Sequence, residues 1–446
     1  MNAGFPELRE QLTAPAQLLP AGAEQYKVYY DGNSGAFLIP NARRSWVRGS
    51  EQAVRQFLQA EHGVSSDRGN EIVSPIVRTL VEIRRDLSVS YAGKLAGHMA
   101  GLVEQNGELI LVTDSPRLIE PSVGGFPIIE KFLNGLLEDQ RIYFDCWMKI
   151  GVESLRRSLI RPGQAIVLAG PKNCGKSVLQ NQVITPALGG RSAKPYQFMS
   201  GATAFNGNLF EAEHLMIEDD VGSFDIRARR HFGAYLKQFT ANEGVQHHAK
   251  NRQAMTLKPF WRVSISCNDE PESLMILPPI DESLSDKVII FQAKKKPMPM
   301  ATQTDEERAA FQTKLRTELP AYLGYLLKME IPEKLRSPRY GVETYHNPEV
   351  LQAMNEIAPE FQLLELIDQH FNESNKPWRG KSSELEAELT GQDSNVCSQA
   401  RKLLHAPNAC GWYLTRLEVK ASHRVKSSMN NGTKRYTILF PGTLTD

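Results

Sequence analysis

Eight consecutive residues, Gly170-Pro171-Lys172-Asn173-Cys174-Gly175-Lys176-Ser177, have the composition and spacing of a phosphate-binding loop. Glycine at both ends of the pattern lets backbone N–H groups approach a phosphate that side chains would block. Lys176 brings a charge that reaches β- and γ-phosphates, and Ser177 a hydroxyl that can ligate Mg²⁺. All eight residues are candidate ATP contacts. Downstream, the apolar run His214-Leu215-Met216-Ile217 ends in three acids, Glu218-Asp219-Asp220. One carboxylate at such a strand end holds Mg²⁺, and a second polarises the attacking water. By themselves, acids in that position are an ordinary solvated turn; their place after a phosphate loop gives them a role. Glu218 and Asp219 are the favoured pair, catalytic and metal-binding, with Asp220 in reserve. A third run, Trp261-Arg262-Val263-Ser264-Ile265-Ser266-Cys267, ends in Asn268, whose amide can touch a γ-phosphate or orient water.

Three strands are needed to position these groups. Ala165-Ile166-Val167-Leu168-Ala169 reads as a buried parallel strand running into the loop, and Val178-Leu179-Gln180 as the start of a helix. From Gln164 to about Phe291 strands and helices alternate, the rhythm of an α/β sheet. The lysine-rich stretch 294–300 marks a boundary. The expected layout is a loose tail (1–20), an N-terminal α+β domain (21–125), a helical connector or oligomerisation region (126–160) and an ATPase domain (161–300). A helix and linker (301–349) and a small C-terminal domain (350–446) complete it. The N-terminal part starts with a hairpin, Tyr26 to Tyr30 and Ala36 to Ile39 around Asp31-Gly32-Asn33, and is mostly helical over 51–100. A length of 446 residues exceeds what one core supports. The net charge of +1 excludes a polyanion partner held by overall charge, so any nucleic-acid surface is a local patch. Five scattered cysteines form no CxxC pair, which argues against a zinc module or disulfide framework. With no long apolar run, a soluble cytoplasmic protein is expected.

The three strand ends resemble those of superfamily 3 helicases, AAA+-related motors of viruses, phages and plasmids. Gly170-Pro171 and Gly175-Lys176-Ser177 match the way that family's loop often begins and ends. Phe205-Asn206-Gly207-Asn208-Leu209, Pro259-Phe260-Trp261-Arg262 and Asn268-Asp269-Glu270-Pro271 are similar to the phage and poxvirus-type primase-helicase branch. The likeness covers roughly 160–295. It implies a P-loop AAA+-like core, ATP and Mg²⁺ as cofactors, and a ring-shaped homo-oligomer, a hexamer, moving on DNA. The segment 237–252 looks like the family's channel hairpin, which makes His247, His248, Lys250 and Arg252 candidate contacts to single-stranded DNA. Two departures stand out. Where the family often carries paired arginines before a strand, this chain has Lys287, a candidate for the residue that completes a neighbour's site, with Arg229 and Arg230 as alternatives. Asp145 lacks a second acid two residues on, so any primase belongs to another polypeptide.

In the C-terminal domain, helices are expected at Phe361 to Ile367, Lys381 to Leu389 and Val396 to Leu404. Trp412-Tyr413-Leu414 and Arg435 to Leu439 read as strands around a basic loop, together a winged helix that binds duplex or forked DNA. Between Cys397 and Phe440 eight cations (Arg401, Lys402, Arg416, Lys420, Arg424, Lys426, Lys434, Arg435) face one acid, Glu418. Such a patch neutralises phosphates, with Arg401, Lys402, Arg424 and Lys426 as the candidate contacts. The rival reading is a protein-docking module with a solvated basic rim. The function implied is ATP-driven DNA unwinding in replication of a mobile element. Its alternatives are an ATP-dependent origin-binding or loading protein and a ring-forming regulatory or defence NTPase.

Overall fold

A computed structural model describes residues 24–41, 45–218, 226–241, 243–248, 254–278, 280–356, 358–371, 376–430 and 432–440. Its centre is a five-stranded parallel sheet: β1 (Ala165–Ala169), β2 (Ser192–Ala193), β3 (His214–Ile217), β4 (Arg262–Cys267) and β5 (Val288–Gln292). Spatial order is β5-β1-β4-β3-β2, and every neighbouring pair is parallel. Parallel pairing puts all carboxyl ends on one edge, where loops gather. β1, β3 and β4 are buried along their whole length, as a sheet covered on both faces must be.

Alternation along β1 divides the covering layers. Ala165, Val167 and Ala169 join Leu215, Ile265 and Ile290 in a core capped by helix Ile226–Ala241 and strands of the N-terminal part. Ile166 and Leu168 face the other way, into a core with helices Pro127–Leu137, Arg141–Arg156 and Asp305–Lys328. The three spans 126–160, 161–300 and 301–349 are thus packed on one sheet. The buried Glu318 carboxylate accepts from the N–H groups of Ile128 and Ile129 at 2.8 and 3.0 Å, capping helix Pro127–Leu137 from a distant helix.

The hairpin is present as Tyr29–Asp31 against Ala36–Pro40, with Tyr29 opposite Leu38. The span 51–100 is less helical than its periodicity suggests. Helices Glu51–His62 and Pro75–Asp86 are followed by strands Ser88–Val89 and Tyr91–Gly93, because the later residues pair with Tyr29–Asp31 and with Glu108–Val112. Leu111 packs into the N-terminal core while Ile110 and Val112 pack into the central one, so a single strand joins both.

The C-terminal module has its own core around helices Pro359–His370, Ser382–Thr390, Cys397–Leu403 and Ala409–Lys420. Here one expectation fails. Trp412-Tyr413-Leu414 is not a strand but part of helix Ala409–Lys420, whose Cys410, Tyr413, Leu414 and Leu417 form a buried stripe. The antiparallel ribbon is instead Val425–Asn430 with Thr433–Ile438, extended by Trp378–Gly380. Among the described residues, no helix is long and apolar enough to cross a membrane.

Candidate functional site

The phosphate loop leaves the carboxyl end of β1 between its two neighbours. Gly170 N–H donates to Cys267 O on β4 at 3.2 Å, and Ala293 N–H, just past β5, to Ala169 O at 2.6 Å. A methyl group on Gly170 would lie 2.1 Å from Ala293 O, so only glycine fits between the strands. Gly175 has φ +110°, and a Cβ there would meet the Phe132 ring at 2.8 Å. These two glycines let the loop pass close against Ala293 and Phe132, where a side chain would clash. The loop runs into Lys176–Val178, Leu179–Ile184 and Thr185–Ala187, one continuous helix whose middle segment is wound as π.

Lys176 is 7% exposed. Its ammonium donates to the loop carbonyls of Gly170 and Pro171 at 2.5 and 3.0 Å and faces Asn268 Oδ1 at 3.5 Å. Ser177, Lys172 and Asn173 are exposed around it, and Cys174 is buried. Asn268 arrives there because β4, not β3, is the neighbour of β1, with Cys267 opposite Ala169. Glu218 follows directly on Ile217, which pairs with Ile265, so it stands one strand further out on the same edge. Its carboxylate is half-buried and ion-paired with exposed Lys194. Asp219 and Asp220 lie outside the described residues. Among the described residues, the Ser177 hydroxyl and the Glu218 carboxylate are hard oxygen donors of the kind Mg²⁺ takes.

Beside the loop, a small cavity is lined by Lys131, Phe132, Leu136, Cys174, Lys296 and Met298, with other residues of helix Pro127–Leu137 and of the 294–299 strap. Sequence reading did not find this group. Its apolar members read as helix core and its lysines as a boundary, and only packing of the strap (Lys294 N–H to Leu136 O, 2.9 Å) brings them to the loop.

The other candidates are dispersed. Lys287 precedes β5, at the amino edge, with its ammonium 2.7 Å from Asp286. It is separated from the loop by the length of a five-residue strand, roughly 15 Å. Arg229 is turned inward: Nη2 donates to Leu277 O at 2.8 Å, and burial lowers its pKa. It is therefore not free to reach another subunit. The Arg230 side chain lies outside the described residues. Asp145 is buried against Tyr322 OH (2.6 Å) and Arg141, with its pKa raised by that burial, a structural carboxyl.

The segment expected as a channel hairpin, 237–252, begins inside helix Ile226–Ala241; the antiparallel pair is Val245–His247 against Met255–Leu257, stapled by Asn206, which donates to Gln246 O and accepts from His248 N–H. His247 is not a surface contact: it is buried edge-on between the Tyr91 and Phe210 rings. Alternation along the strand forces this, since Gln246 takes the outer face. His248 is partly exposed, and Lys250 and Arg252 lie outside the described residues.

Half of the C-terminal cations are engaged internally. Arg416 and Lys420 hold the fully buried Glu360, Arg424 holds Asp368 at 2.5 Å, and Lys434 holds Glu418 at 2.9 Å. Arg424 is itself buried, which removes it as a phosphate contact. Glu360 and Asp368 precede the window in which the charge was counted, so the folded patch is less basic than the sequence count. Arg401, Lys402, Lys426 and Arg435 are exposed.

A family of unknown function, DUF5906, matches residues 168–282, which span the loop, the acids and Asn268. No curated protein matches the chain. Two apo structures of the NrS-1 C-terminal region share the fold over 93% of this chain. One has TM-score 0.54, 13% identity and 96% of its own length covered; the other 0.55, 11% and 95%. A helicase, SCCmec type IV Cch, also matches, over 89% of this chain and 73% of its own, at 11% identity and TM-score 0.30. The fold is thus shared with the NrS-1 C-terminal region, a mixed α/β architecture on a parallel sheet.

Proposed function

We propose that this chain is an ATP-dependent DNA helicase or translocase of the superfamily 3 type, working as a ring oligomer in replication of a mobile element. One observation carries the reading: Lys176 of the phosphate loop and Asn268 of the adjacent strand converge on one edge, with Glu218 ending the next strand out. Gly170 to Ser177 would cradle ATP phosphates, and Ser177 with Glu218 and Asp219 would hold Mg²⁺. That ion, when bound, supplies positive charge to the phosphoryl oxygens. Glu218 would exchange Lys194 for the metal, a local side-chain swing. Lys287 sits too far away to serve its own nucleotide, so any role it has is to a second copy, which is how a ring would use it. The C-terminal helices and ribbon are read as a winged helix touching DNA through Arg401, Lys402, Lys426 and Arg435.

A non-unwinding NTPase is the second reading, supported by the internal pairing of Arg416, Lys420, Arg424 and Lys434, which thins the DNA-facing charge. Purified chain and its Lys176→Ala variant, assayed for ATP hydrolysis with and without single-stranded DNA and for fork unwinding, separate these. Lys176→Ala should abolish hydrolysis and leave DNA binding measurable. Turnover above about a tenth of wild type sinks the assignment. DNA-independent hydrolysis without unwinding favours the second reading.

A further inference from the structure

Below the phosphate loop, four buried side chains from three elements close a ring of hydrogen bonds. Gln180, one turn beyond Lys176, donates from Nε2 to Ser264 Oγ at 2.8 Å. The Ile217 and Ser264 carbonyl oxygens face the same nitrogen at 3.4 Å, which fixes the orientation of the amide. His214, the first residue of β3, meets Ser264 Oγ through Nε2 and Thr185 Oγ1 through Nδ1, each at 2.7 Å. Thr185 Oγ1 donates to Gln180 O at 3.0 Å. Gln180, His214 and Ser264 have no exposed surface and Thr185 almost none, so water does not compete for these groups.

Counting hydrogens gives an arrangement that satisfies every one of these bonds. Ser264 accepts from the Gln180 amide and gives its own hydrogen to His214 Nε2. Thr185 has given its hydrogen to Gln180 O, so it must accept from His214, and the imidazole proton sits on Nδ1. In this arrangement the histidine is neutral. Full burial, which pushes the His214 pKa down to about 3, keeps it neutral. The same bonds account for the helix winding. The Thr185 to Gln180 contact spans five residues, as a π turn does, and Pro186 lacks the N–H that an α turn would use.

We propose that Gln180, Thr185, His214 and Ser264 are positioning residues that set the acid-bearing end of β3 against the phosphate loop. The inference rests on the ATPase reading above. Each element in the ring carries one part of that site: the helix Lys176 and Ser177, β3 Glu218, and β4 Asn268. Otherwise the helix meets the sheet through Leu179, Val183 and Ile184, and apolar contact is non-directional. A closed polar ring admits one rotation and one height of the helix, and Gln180 reaches Ile217 O immediately before Glu218.

Thr185→Val removes the hydroxyl with little change of shape, Thr185→Ser keeps it, and Gln180→Leu opens the ring from its other side. In the full chain, Thr185→Val and Gln180→Leu should each lower kcat about ten-fold, the cost of a small misplacement of reacting groups. They should also raise the Mg²⁺ concentration for half-maximal turnover. Affinity for a fluorescent ATP analogue without Mg²⁺ should stay within about two-fold, because the phosphate cradle is intact, and Thr185→Ser should behave as wild type. A lower melting temperature with kcat and Mg²⁺ dependence unchanged would mean a merely structural ring and overturns the inference. If Thr185→Val does not fold, Gln180→Leu and Ser264→Ala carry the same test. A wild-type chain without Lys176-dependent ATPase overturns the ATPase reading as well, an outcome distinct from an active enzyme indifferent to these variants.

Discussion

The ammonium of Lys176 faces Oδ1 of Asn268, 92 positions further along the chain, at 3.5 Å. Lys176 is otherwise bonded within its own loop, and among the described residues Asn268 supplies the side-chain oxygen that meets its ammonium from outside the loop. An amide there can hand the lysine over to a γ-phosphate and then contact that phosphate, or water, with its own N–H. Asn268→Ala should therefore lower kcat for ATP by about ten- to a hundred-fold with KM little changed. Steady-state ATPase measurements check this, and an equal rise in KM would assign Asn268 to ground-state binding.

Glu218→Gln and Asp219→Asn should each bind ATP and hydrolyse it poorly, because they remove charge at the metal or water rather than at the phosphate cradle. Equilibrium binding of a labelled nucleotide alongside turnover decides it. A defect confined to Asp220→Asn would shift the register of the acids by one.

Two sets of C-terminal cations should behave oppositely. Arg424→Ala breaks the largely buried pair with Asp368 and should cost about 2 kcal/mol of stability in the module, with DNA affinity per folded molecule unchanged. Replacing Arg401, Lys402, Lys426 and Arg435 by alanine should leave the melting temperature near wild type. That variant should weaken duplex binding and flatten its salt dependence by up to about four phosphate contacts. Thermal melts and binding titrations at several salt concentrations measure both, and an unchanged slope favours a protein-docking module.

Replacing Lys250 and Arg252 together by alanine should leave basal ATPase nearly intact and remove its stimulation by single-stranded DNA, along with unwinding. These side chains bring no charge to the nucleotide; on a channel hairpin they would convert hydrolysis into movement by holding backbone phosphates. A variant that unwinds forks like wild type would place them on the outside of a ring. His247→Ala tests something different: a residue buried against Tyr91 and Phe210 should affect folding rather than DNA coupling.

The pattern on which the proposal rests is local: a phosphate cradle is built from consecutive backbone groups, so Gly170 to Ser177 can be read as one without distant residues. The strands ending at Glu218 and Asn268 also show, because a strand covered on both faces must be apolar throughout. Periodicity at 410–417 points away from the strand reading of Trp412-Tyr413-Leu414, because Cys410, Tyr413, Leu414 and Leu417 have helical spacing. What tertiary structure alone decided were relationships between segments far apart in sequence. Strand order put Asn268 rather than Glu218 beside β1, folding turned His247 and Arg229 inward, and Glu360 and Asp368 came back to pair with the basic cluster. The physical reason is one of range. Hydrogen-bonding loops and buried strands are set by neighbours along the chain, whereas burial and ion pairing depend on which surfaces meet after the chain has closed on itself.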